Sequence, residues 1–215
     1  RIGEIDQRRQ HPFAVGTGPR YEYLEGNSGP FKATFQTLEY AHFPGGHYCT
    51  PVGAIAEATK SGIIGKCVNN EYDIAGGKAE DFRGGTAFWS PETGAHALYG
   101  AILAKYNGLG GPSGWLGFPL TGETKTPDGV GRFVHFQNGS VYWTPSTGAY
   151  AIPGDMFAAW GKNGYEGGDL KYPVAEANQV GDGYVQKFQG GYLTRNPDGK
   201  HFIVHGAIGE KYGQI

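Results

Sequence analysis

Four sets of side chains in this sequence have the types and spacing that chemistry needs. His42, His47, Cys49 and Cys67 lie within 26 residues and carry the N and S ligands of a zinc site. Their spacing matches no standard finger, and Gly45-Gly46 reads as hairpin without a metal. Two cysteines 18 apart in a secreted chain are more simply one disulfide, Cys49–Cys67, with two buried thiols as the alternative. Asp128, Asp182 and Asp198 stand in PDG, GDG and PDG. Loop acids of this kind hold calcium or serve as paired glycosidase carboxylates, but Asp-Gly is also ordinary turn chemistry. Among the six serines, Ser113 in GPSGW lacks the flanks of a nucleophile elbow. Phosphate loops, paired-histidine zinc helices and dinucleotide fingerprints are absent. We therefore expect no catalytic residue, metal or cofactor.

The fourth set is aromatic. A tryptophan or tyrosine stacks an apolar face on the C–H face of a sugar while its polar tip reads a hydroxyl. FQNGSVYWTPSTGAY, residues 136–150, holds several such rings between turn residues. Its meaning comes from comparing the chain with itself. FRGGTAFWSPETGAHALYGAILAKY begins at Phe82, FQNGSVYWTPSTGAYAIPGDMFAAW at Phe136 and FQGGYLTRNPDGKHFIVHGAIGEKY at Phe188, so the starts are 54 and 52 residues apart. Pro91, Pro145 and Pro197 share one offset from that Phe, and Gly77, Gly131 and Gly183 share another. Ile102, Met156 and Ile208 recur, as do Tyr106, Trp160 and Tyr212. Fixed offsets over this length mark a tandem repeat. LGFP (116–119) and LKYP (170–173) close the first two units, and the chain ends before the third would reach that element.

Each unit needs elements to hold its rings. Asn138-Gly139 signals a two-residue type I′ hairpin, with Gly84-Gly85 and Gly190-Gly191 in its place elsewhere. Phe133–Gln137 and Ser140–Thr144 are then paired strands, and Ala149–Ile152 returns as a short third. Apolar residues at helical spacing predict helices over 101–107, 155–161 and 207–213, with Asp155 at the positive end of the second. Helices of two turns cannot stand alone, so they must pack on the hairpins. The expected fold is α+β: tandem hairpin-plus-helix repeats packed into one compact, pseudo-symmetric, propeller-like domain. The parts are an N-terminal arm, cap or diverged unit (1–42), a degenerate repeat (43–81), repeats at 82–135 and 136–187, and a partial repeat at 188–215. In the degenerate unit, IGKC (64–67) arrives too early after Phe43 to match LGFP.

Recurrence sorts the rings. The Phe82 and Tyr106 positions stay aromatic in every unit, as core does. Trp89 and Trp143 give way to Arg195, and a buried Trp is rarely replaced by Arg, because an unpaired buried charge is costly. His96 and Tyr150 give way to Phe202. Partial exposure of Trp89 and Trp143 is one reading; a packing Trp with a rearranged third unit is the other. Trp89, Trp143, His96, Tyr150 and Trp115, just ahead of LGFP, are the candidate ligand-binding side chains. Along 140–144, alternation puts Val141 and Trp143 on one face and Tyr142 on the other, one of them core.

LGFP at 116–119, with YWTPSTGAY (142–150) and FWSPETGAH (88–96), resembles the LGFP-repeat family. The resemblance covers residues from about 77 onward well and 43–76 poorly. The third unit departs from it at Arg195, in place of Trp89 and Trp143, and at Lys200, in place of Gly94 and Gly148. The family implies a secreted, envelope-located protein of mycolic-acid-bearing actinobacteria. Its repeats often follow an enzyme such as a mycoloyltransferase or a peptidoglycan amidase, and hold it on arabinogalactan or a related wall glycan. A catalytic domain on the same precursor is thus an expected partner. The bulk numbers agree with a neutral-glycan binder. A net charge of −2 offers no field for nucleic acid or an anionic membrane surface. No apolar run approaches the length of a membrane span. The chain opens on Arg1 and has a single methionine, Met156, which fits a processed mature chain. The expected function is a non-catalytic carbohydrate-binding module; the alternatives are a glycan or peptidoglycan hydrolase using loop carboxylates, and a secreted protein-binding scaffold or inhibitor.

Overall fold

The computed structural model describes residues 49–205 together with 208 and 211. The arm at 1–42, His42 and His47, most of the degenerate unit's hairpin, and Tyr212 lie outside the described residues. After α1 (Gly53–Thr59) come three copies of one module, a four-stranded antiparallel meander. The first holds β1 (Tyr72–Ile74), β2 (Gly77–Phe82), β3 (Gly85–Ser90) and β4 (Gly94–Tyr99), and α2 (Gly100–Gly108) follows. The second holds β5 (Thr124–Lys125), β6 (Arg132–Phe136), β7 (Gly139–Thr144) and β8 (Gly148–Pro153), and α3 (Gly154–Gly161) follows. The third holds β9 (Asn178–Val180), β10 (Gly183–Phe188), β11 (Gly191–Arg195) and β12 (His201–Val204). The expected α+β repeat is therefore present, but the unit is a four-stranded sheet and not a hairpin alone. Its short first strand has only two or three residues, too few to show a period-2 pattern.

Each sheet looks back onto the unit before it. Val134, Phe136, Val141 and Ala151 of the second sheet join Ala79, Phe88, Leu98, Ile102 and Tyr106 of the first sheet and α2 in one buried cluster. Tyr142 and Ile152, on the other face of the second sheet, join Met156, Trp160, Leu170, Phe188 and Leu193 in the next. A third cluster sets Ile55 of α1 and Ile64 against Phe82 and Ala87. Helices α2 and α3 thus lie wedged between successive sheets. The alternation along 140–144 is observed, yet Val141 and Tyr142 are both buried, since this middle sheet has core on both faces. Most contacts run from neighbour to neighbour, as in a solenoid, with Lys105 of the first unit also reaching Glu176 of the third, and the described residues do not show the series closing into a propeller. Ile208 is 69% exposed where Ile102 and Met156 are sealed. No further sheet among the described residues covers it.

The hairpin turns are not centred where the sequence placed them. Register pairs Phe136 with Gly139, so the loop is Gln137-Asn138, and likewise Arg83-Gly84 and Gln189-Gly190. None of these six residues has positive φ, so the turns are not type I′. The tetrapeptide motif supplies what the turn type does not. The amide of Asn138 donates to the Leu116 carbonyl and that of Gln137 to Phe118; Gly84 and Arg83 donate to Ile64 and Lys66, and Gly190 and Gln189 to Leu170 and Tyr172. The Gln side chain returns the bond, its Oε1 accepting from the Phe118 amide at 2.8 Å and, through Gln189, from Tyr172 at 3.2 Å. LGFP therefore opens a unit and splints the hairpin tip that follows it. IGKC does the same, and its 18-residue distance to Phe82 equals that from Leu170 to Phe188. It arrives early only when counted forward from Phe43. The position taken by Pro119 and Pro173 in the other motifs is Cys67, which is joined to Cys49.

The motif's second position needs a left-handed backbone: φ is +78° at Gly65, +69° at Gly117 and +57° at Lys171. Its aromatic third position reaches back to the unit before. Phe118 lies on Gly77, and Tyr172 on Gly131. A Cβ on Gly77 would stand 2.6 Å from the Phe118 ring and closer still to the Trp89 carbonyl, with backbone on one side and packed ring on the other. Gly77→Ala is expected to cost about 2 kcal/mol by overpacking. Gly94→Ala, where φ is +75° but the space is open, is expected to cost about 1 kcal/mol of backbone strain alone. Urea denaturation of the two variants reads that order.

Candidate binding grooves between units

Two grooves recur at equivalent places, each between the helix of one unit and the last strand of the next. The first, about 400 Å3, runs over Ala101, Ala104, Lys105 and Gly108 of α2 and meets Ala149 of β8. The second, about 460 Å3, runs over Ala159 of α3 and Lys162 and Asn163 after it, and meets Lys200 and, in β12, His201 and Phe202. Counted from Phe136 and Phe188, Ala149 and His201 are the same position, and so are Tyr150 and Phe202. Small residues make the floor because β-strand and helix approach closely there. Lys105 of the first groove places its Nζ 5.3 Å over the Tyr150 ring, which lies outside the groove lining, and in the second Phe202 is 52% exposed beside two lysines. A ring flanked by ammonium donors over a floor without bulk is what a sugar face with hydroxyls along its edge requires.

The predicted side chains divide among several places. Trp89 and Trp143 are half-buried; Trp143 packs against the first-to-second-unit core and Trp89 against the cluster under α1. His96 and Tyr150 are half-buried and Trp115 is exposed. Trp89 pairs with Ala95 and His96 with Phe88, so Trp89 and His96 point to opposite faces of one sheet. Trp143 and Tyr150 are separated in the same way. None of these four lines a groove; Tyr150, on the sheet face opposite Ala149, comes nearest, beside Lys105 at the edge of the first, while Trp115 borders a separate cleft.

Arg195 has a different explanation from the one its class change invited. Lys78 faces Trp89 across the first sheet, Arg132 faces Trp143 across the second, and Tyr184 faces Arg195 across the third. Each unit keeps a cation beside a ring, and in the third the two have exchanged strands. The Arg195 guanidinium lies 4.5 Å from the Tyr184 ring centre and donates to Asp155 at 2.8 Å, so its charge is paired.

Of the loop acids, Asp128 and Asp198 are held in their turns and Asp182 stands exposed. Asp128 accepts from Thr126, from the Val130 amide and from the Tyr172 hydroxyl at 2.7 Å. Burial alone raises its pKa, but these bonds outweigh it and hold the carboxyl below the ordinary range. It clamps the motif ring of one unit to the loop of the unit before. Asp198 sits in a turn closed by Asn196. Asp155 is likewise pushed up by burial and held lower on balance by Arg195, the Met156 amide and His201. Glu176, which the sequence did not single out, pairs with Lys105 at 2.6 Å and accepts the Ala151 amide, so it touches all three units. Its partner is 71 residues away, beyond any local pattern. Gln137 was missed too, although FQ recurs at 136–137 and 188–189.

Among the described residues no group of His, Cys, Asp and Glu has metal-site geometry, and no helix is long and apolar enough to cross a membrane. No curated protein matches the chain. The family model described as LGFP repeat matches three times, at residues 64–114, 116–168 and 170–215, each match opening on or beside the splinting tetrapeptide. Repeats of that family are cell-wall-associated and occur in cell-surface proteins. With three consecutive matches over more than half its length, the chain belongs to the LGFP-repeat family.

Proposed function

We propose that this chain is a secreted, non-catalytic carbohydrate-binding module that holds to a polysaccharide of the bacterial cell wall, arabinogalactan or a peptidoglycan-linked glycan. The observation that carries the reading is the recurrence of the helix–strand groove at both junctions, the first with Lys105 in its lining and the Tyr150 ring beside that lysine, the second with Phe202 beside Lys162 and Lys200. Two open, weak sites on one chain gain by acting together on a repeating polymer. The hydrolase reading needs one carboxyl held protonated beside another that is free. Asp155 and Glu176 are both engaged by cations, and Asp155 is held low.

Retention on purified wall polysaccharide tests this. Tyr150→Ala and Phe202→Ala are each expected to weaken it about tenfold, and the double variant about a hundredfold. Thermal melting should hardly move, because neither ring is sealed in core. Undiminished retention by the double variant sinks the assignment of the grooves.

A further inference from the structure

The second-to-third junction carries a feature that the first does not repeat. A cleft of about 410 Å3 is bordered by Trp115, Pro153, Asp155, Glu176, Tyr184 and Arg195. At the first junction, Pro153, Asp155, Tyr184 and Arg195 correspond to Tyr99, Ala101, Arg132 and Trp143. There Trp143 packs against the core, and Arg132 donates to Tyr99 at 3.3 Å and pairs with Glu123 at 3.4 Å. Exchange of ring and cation between strands, with Pro153 for Tyr99, opens the place and lines it with polar groups.

Trp115 is held for use. Its ring lies on Gly139, where a Cβ would stand 3.0 Å from it, and its carbonyl accepts the Asn138 side-chain amide at 2.9 Å. It remains 43% exposed. The charges at the cleft cancel in pairs, Asp155 with Arg195 at 2.8 Å and Glu176 with Lys105 at 2.6 Å. Each carboxylate keeps lone pairs for hydroxyl donors, and the guanidinium keeps N–H groups for hydroxyl acceptors. A volume of this size takes a ligand of one or two sugar rings.

We propose that this cleft is a further, end-on glycan site, which stacks the terminal uncharged sugar of a chain on Trp115 and hydrogen-bonds its hydroxyls with Asp155, Glu176 and Arg195. This rests on the carbohydrate-binding reading but uses a site apart from the two open grooves. The probe is a set of short neutral oligosaccharides cut from the purified wall polysaccharide, titrated into the full chain while tryptophan emission is followed. Binding should shift the emission, and Trp115→Ala should weaken it about tenfold, with Glu176→Gln giving a smaller loss. The groove variant Tyr150→Ala/Phe202→Ala should bind the short fragments unchanged. Fragments whose primary hydroxyls have been oxidised to carboxylates should bind worse, facing two acids whose cations are already engaged.

Equal fragment binding by Trp115→Ala and the unmutated chain overturns the inference, as does equal binding of the carboxylated fragments. If the polymer is retained but the fragments do not bind, the cleft assignment fails and the wall-binding reading stands. If neither binds, the wall-binding reading fails as well.

Discussion

Trp160→Ala is expected to lower stability by about 4 kcal/mol. Trp160 is fully buried at the end of α3, with its ring against Tyr142, Tyr165 and Phe188 at centroid distances of 4.8, 5.5 and 5.4 Å. Those rings come from the second sheet, the turn after α3 and the third sheet, so the deletion empties the second junction, which nothing else can fill. In a linear array the loss is local in structure. The third unit should unfold in urea before the first two, giving a biphasic transition when Tyr184 and Tyr192 report separately. Trp160→Phe should cost within about 1.5 kcal/mol, because the ring volume is largely kept and the indole N–H it deletes has no partner. Equal losses for Ala and Phe would contradict this account of the junction.

Opening the Cys49–Cys67 disulfide is expected to cost about 3 kcal/mol by the chain-entropy argument for a loop of this length. The bond ties α1 to the motif that splints the first hairpin. The first unit's motif has Cys67 where the others have proline, and its link from helix to motif is five residues shorter: Gly53 to Ile64 spans 11, Gly100 to Leu116 spans 16. Reduction should release amide protection at Ile55, Ile64 and Arg83 and leave that around Trp160 intact. Hydrogen exchange with and without reductant measures it, and uniform loss across all three units would show that the bond supports more than the first.

Much of this was legible because the chain repeats itself. Phe82, Phe136 and Phe188 never change class, and all three are buried at the junctions. The α2 and α3 positions followed from 3.6-residue spacing and were placed to within a residue. Where the structure departs from the sequence pattern, the cause is a partner distant in sequence. Asn-Gly is a turn signal when the turn must shape itself, but here the splint from Leu116 and Phe118 fixes the loop one residue earlier. Offsets show what recurs and not where a unit begins, so the sequence alone joins LGFP to the hairpin before it, whereas its backbone bonds go to the hairpin after it. Arg195 taken alone suggests an exposed position, whereas its meaning lies in Tyr184 across the strand, eleven residues away. Glu176 and Lys105 meet only because three units stack.

The central claim is that this fold holds a neutral wall glycan. The most direct measurement is depletion of the unmutated chain from solution by purified arabinogalactan–peptidoglycan, in low salt and again in about 0.5 M NaCl, where charge-driven adsorption is screened. The account predicts saturable binding that survives the salt and is competed by the soluble polysaccharide. No depletion, or depletion abolished by salt, would contradict it.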